Sequence, residues 1–164
     1  MASLEDLFRI ALVGICATAF MDAWLALLKR LGVRSLDFAL IGRWVGHLLR
    51  GRLAHPAIAK APPVRGELAL GWLTHYGVGV GFAALLVALQ GAAWLRSPSA
   101  LPAVALGICT VAAPLFLMQP AMGAGFAASR TPAPWKNRLR SVSNHAVFGW
   151  GLYFAAVAVE WAAR

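Results

Sequence analysis

Four apolar runs, Leu7 to Leu28, Leu68 to Gln90, Ala100 to Met118 and about Asn144 to Ala163, are each long enough to cross a bilayer, and they leave this chain few ways to fold. A helix of about 20 predominantly apolar residues spans the hydrocarbon, and in lipid it satisfies its own backbone where an open strand cannot. The sequence therefore predicts an all-α polytopic membrane protein, a single domain over residues 1–164 with four transmembrane helices in one bundle. Composition agrees, since 60% of the 164 residues are hydrophobic and 13% are charged. Soluble domains sit far from both values.

The charges say how the spans are oriented. Between the first and second runs lie Lys29, Arg30, Arg34, Arg43, Arg50, Arg52, Lys60 and Arg65 against Asp37 and Glu67. Between the third and fourth come Arg130, Lys136, Arg138 and Arg140 with no acid, whereas the middle connection has Arg96 alone. Cytoplasmic loops collect Lys and Arg, which puts the first and third loops inside and both termini on the periplasmic side. The net charge of +9 is then met by anionic headgroups of the bilayer, and no nucleic-acid partner is expected. A cleaved signal peptide is not expected either. The leader carries Glu5 and Asp6 where a signal is basic, and Arg9 interrupts the apolar stretch.

The first loop carries its own element. Ser35 is a plausible N-cap, and LDFALIGRWVGHLLR after it places Arg43, His47 and Arg50 on one side of a helix from about Leu36 to Arg50 that Gly51 can close. Apolar residues cover the rest, so this reads as an interfacial helix on the inner leaflet with His47 on its polar face. Pro56, Pro62 and Pro63 then keep the chain irregular up to the second span. Pro114 should bend the third span, and the Gly-rich stretch after Met118-Gln119-Pro120 lets the chain turn. ASRTPAPWKNRLRS is expected to re-enter as a basic connector with Trp135 at headgroup level. Cys16 and Cys109 lie inside apolar runs and read as small packing residues.

Two short patterns recur in the same order. Gly14-Ile15-Cys16 lies within the first span and Gly107-Ile108-Cys109 within the third, and His-x-x-x-Gly-x-Gly recurs at His75 and His145. A tandem repeat of two helical hairpins would explain both. Gly14, Thr18 and Asp22 form an i+4 stripe, as do Gly71, His75 and Gly79, and His145, Gly149 and Tyr153. Small residues let helix backbones approach in lipid, so these stripes are expected to face one another, and such surfaces also admit a homo-oligomer.

The stripes carry the candidate site. At 1.5 Å per residue, Asp22 lies roughly 10 Å, His75 roughly 12 Å and His145 roughly 8 Å inside the basic boundary, one layer in the cytoplasmic half. An ionisable residue at that depth is expensive and marks a site by default. The candidate binding residues are Asp22, His75, His145, Gln119 and Thr18. Three uses stay open: a small-solute or proton-linked binding and transport site, a metal or haem site, and a structural pair with no ligand. For a metal, His75, His145 and Asp22 would suit iron, Met118 and Met122 would favour copper, and the two histidines could be axial haem ligands. No spacing is diagnostic of a cofactor. The nucleophile elbow, phosphate loop, C-x-x-C and H-E-x-x-H motifs are all missing, so no catalytic residue is assigned and an enzyme is not the expected class.

The strings ATAFMD, GRWVGHLLRGR, GWLTHYGVGVGFA, MQPAMGAGFAASRTPAP and SNHAVFGWGLY together resemble an uncharacterised family of four-span bacterial membrane proteins, DUF2938. The resemblance runs through nearly the whole chain. It implies a bacterial inner-membrane setting and brings no activity, ligand or site residue with it.

Overall fold

Ser3 starts the first helix: its hydroxyl accepts from the Asp6 N–H while the Asp6 carboxylate accepts from the Ser3 N–H, a capping box that frames α1 (Leu4–Arg30). The computed structural model describes residues 3–33 and 37–164, and among the described residues it is helical with no strand. After α1 come α2 (Phe38–Leu48), α3 (Glu67–Gln90), α4 (Ala100–Cys109), the single turn α5 (Gln119–Ala121) and α6 (Pro134–Ala162). Four stretches, Leu4–Arg30, Glu67–Gln90, Ala100–Ala121 and Pro134–Ala162, are long and apolar enough to cross a membrane. These match the four expected spans.

One boundary differs from expectation and one interruption follows it. Residues 134–143, read as a connector, are the first turns of α6, because Pro134 sits at the first helical position where its missing N–H costs nothing. The third span is interrupted as Pro114 requires: it cannot donate to the carbonyl four residues back, and Pro114–Met118 widens into a π-helical turn before α5.

The chain divides into two compact units. The first comprises Met1–Ser35, Tyr76–Thr110 and Asn144–Arg164. Its core is built on Val13, Ala17, Leu86, Ala103, Leu152 and Ala156, with alanines at the tightest places. α1 meets α3 where Gly14 rests on Gly79 and Val80, and α4 meets α6 where Gly107 rests on Gly149 and the His145 carbonyl. A Cβ at Gly14, Gly107 or Gly149 would strike backbone and one at Gly79 the Thr18 side chain, so the recurring glycines do the same work in both helix pairs. Cys16 and Cys109 are free and exposed, so they are not the packing residues their apolar surroundings suggested.

Opposite charges gather at one end of this unit. Arg9 donates to Glu5 at 2.8 Å and to Glu160 at 2.6 Å, Glu160 also pairs with Arg164, and Arg96 reaches Asp6 at 2.9 Å. The start of α1, the end of α6 and the connection after α3 therefore meet, as an even number of spans requires.

The second unit comprises Leu36–His75 and Val111–Ser143. α2 is capped by Asp37, whose carboxylate accepts from the Ala39 N–H; the expected cap, Ser35, lies outside the described residues. It packs on the first turns of α3 through Gly42, which touches the Glu67 carbonyl, and Gly71, which touches the Phe38 carbonyl. Of its basic stripe, Arg43 and His47 are turned into the protein and Arg50 is exposed. Arg43 grips Glu67 through two hydrogen bonds of 2.7 and 2.8 Å and also reaches the Ala59 and Ala61 carbonyls. His47, expected on a solvated polar face, is buried with Nε2 at 2.9 Å from the Pro62 carbonyl.

Candidate functional site

The α1 stripe of Gly14, Thr18 and Asp22 does face α3, and its opposite number is Tyr76, Gly79 and Val80. Thr18 is 1% exposed; its hydroxyl donates to the Gly14 carbonyl at 2.8 Å and its side chain meets the bare Cα of Gly79. The hydroxyl thus donates within its own helix. One turn further along, Tyr76 donates its phenol to Asp22 Oδ2 at 2.9 Å. Sequence reasoning named its neighbour His75 for this layer and missed Tyr76.

His145 lies on the α4 side of α6. Its Nδ1 is 2.8 Å from the Thr110 hydroxyl, which also approaches the Gly107 carbonyl at 2.6 Å. That hydroxyl has one proton. With the proton on the carbonyl, His145 donates from Nδ1 and keeps Nε2 as the basic nitrogen; with the proton on Nδ1, the tautomer reverses. Beside it in α6, Asn144 is buried and accepts at 3.1 Å from the indole N–H of Trp24, two residues past Asp22 in α1. The first unit thus holds Asp22, Tyr76, Trp24, Asn144, His145 and Thr110, each bonded through its side chain. Tyr76, Trp24, Asn144 and Thr110 were missed by sequence reasoning. The signal for Tyr76 was its i+3 relation to Gly79, which shares its face.

His75 belongs to the second unit. Its ring lies 4.7 Å from Phe38 and 6.0 Å from Trp72, and those two rings stack at 4.1 Å. Among the described residues no three His, Cys, Asp or Glu side chains gather to hold a metal ion. Gln119 is also in the second unit, with its Oε1 buried and without a partner. Met118 and Met122 flank it, and the Met122 carbonyl accepts from the Ile58 N–H at 3.0 Å.

A helical chain with four membrane-length apolar stretches, and a phenol–carboxylate pair and an imidazole–hydroxyl pair within those stretches, is a polytopic all-α membrane protein. Residues 11–159 match the family described as "Protein of unknown function (DUF2938)", and the chain belongs to that family. No curated protein and no solved structure matches it.

Proposed function

We propose that the protein is a bacterial inner-membrane protein that binds a small protonatable solute, or passes protons, at the Asp22 side of its first unit. The observation that carries this reading is the hydrogen bond from Tyr76 to Asp22 inside a membrane-length helix. Two helices meet there through a carboxylate and a phenol, where an apolar contact would have packed as well at lower desolvation cost. Thr110 and His145 supply a second proton-exchanging pair in the same unit, one able to switch its donor and acceptor roles. In this reading the basic loops lie in the cytoplasm beside anionic headgroups, both termini are periplasmic, and water reaches Asp22 from the basic side.

Purified protein in liposomes with a pH-sensitive dye inside tests it. Under an imposed pH gradient the wild type should carry protons or a co-transported solute faster than empty vesicles, and Asp22→Asn should return the rate to background. A wild-type rate equal to that of empty vesicles, or an unchanged rate in Asp22→Asn, would remove the reading and leave a structural pair.

A further inference from the structure

His55 is the most deeply placed ionisable side chain of the second unit that the proposal above does not use. It is 3% exposed, both of its ring nitrogens are buried without a hydrogen-bond partner, and its backbone N–H donates to the Ala121 carbonyl at 2.7 Å. A neutral imidazole has one lone-pair nitrogen, and here neither nitrogen is taken up by a protein partner. The ring of His47 meets it edge-on with centroids 4.8 Å apart. The Pro62 carbonyl can only accept, so His47 carries its proton on Nε2 and its Nδ1 is the basic nitrogen. A carbonyl fixing one nitrogen of a histidine so that the other can bind is the usual outer support of a metal ligand.

From these residues we infer a metal site, in which His47 Nδ1 and a His55 ring nitrogen bind a single copper(I) ion with further donors from the Met118–Met122 segment. The spacing fits. With metal–nitrogen bonds of about 2.1 Å each ring centre lies about 3.2 Å from the ion, so two rings 4.8 Å apart are within the span that one ion can bridge. The Met118–Met122 segment is held against His55 by hydrogen bonds from the His55 and Ile58 N–H groups to the Ala121 and Met122 carbonyls. Gly123 closes that turn at φ +94, where an added Cβ would strike the Pro56 carbonyl. The segment carries the buried, unpartnered Oε1 of Gln119 and two thioethers, acceptors and soft donors that suit a cation.

Charge selects the ion. Glu67, the carboxylate whose field reaches His47, is already matched by Arg43, and Arg52 adds a positive charge beside His55. Neutral donors with no spare anion favour a monovalent ion over a divalent one. Imidazole and thioether together favour copper(I).

The full-length protein in detergent, kept reduced and titrated with copper(I) against a coloured copper(I) chelator, tests this. One equivalent should be withheld from the chelator, His55→Ala and His47→Ala should weaken retention at least tenfold, and His75→Ala and His145→Ala should leave it unchanged. X-ray absorption of the copper-loaded wild type should show imidazole scattering, a readout that stands even if the His55 variant fails to fold. No retained copper, retention unchanged in His55→Ala, an absorption spectrum without imidazole, or zinc(II) held in preference to copper(I) would each overturn the assignment.

Discussion

Asp22 and Tyr76 show how a polar pair is held inside an apolar stretch. Removing one partner of a buried hydrogen bond costs about 1–3 kcal/mol, so Tyr76→Phe should destabilise the protein by that order, measured by denaturation in a mild detergent. Trp24→Phe, which leaves the buried Asn144 Oδ1 without its indole donor, should cost about 1–3 kcal/mol in the same assay. A loss below about 0.5 kcal/mol in both would mean that these bonds do not order the helices. The residue scale also has a pH signature. His55 titrates lower in the folded protein than in the unfolded chain, so the unfolded chain binds the extra proton first. Its contribution to metal-free stability is complete above the ordinary histidine pKa of about 6.5 and is lost as pH falls through the lowered value. His55→Leu should flatten that dependence, and an unchanged slope would assign it to another group. Asp22 was legible in the sequence because a carboxylate in an apolar run stands out. His55 was not, because it follows a basic stretch and precedes a proline, where a histidine reads as solvated.

The elements are decided by where glycine permits backbones to touch. Gly79→Ala drives a methyl into Thr18, and Gly42→Ala drives one into the Glu67 carbonyl, so each should cost roughly 1–3 kcal/mol or reduce the yield of folded protein. Gly77, on the same helix as Gly79 but with open space around its would-be Cβ, is the control: Gly77→Ala should be neutral or slightly stabilising. Equal effects at Gly77 and Gly79 would contradict the α1–α3 crossing. The i+4 stripe on α1 was readable because its period is local. On α3 the stripe splits, with Gly79 meeting Thr18 and Gly71 serving α2, because periodicity marks a face without naming what covers it. The inward turn of α2 was hidden for a different reason. Arg43 finds Glu67 from 24 residues away, and no periodicity within α2 announces an acid on the far side.

At the scale of the whole molecule, hydropathy carried most of the information, because four membrane-length apolar runs admit a helical solution and exclude an open sheet. Pairing between distant charges was beyond it: Arg9 looked like a flaw in the first span until Glu160, 151 residues on, supplied its partner. All six carboxylates are engaged, Glu5, Asp6, Glu67 and Glu160 with arginines, Asp22 with Tyr76 and Asp37 as a cap, so the positive excess belongs to the loops. That distribution predicts that a cysteine placed at Arg52 or Arg130 reacts with an impermeant thiol reagent only from the cytoplasmic side, and one placed at Ser97 only from the periplasmic side. The opposite pattern would invert the proposed orientation. Most direct of all is the reach of water to Asp22. In a background with Cys16 and Cys109 replaced by alanine, Asp22→Cys should be modified by a water-soluble thiol reagent applied to the basic side, well above the rate of Ala17→Cys, whose site is 0% exposed. A rate no greater than that of Ala17→Cys would contradict a solute or proton site at Asp22.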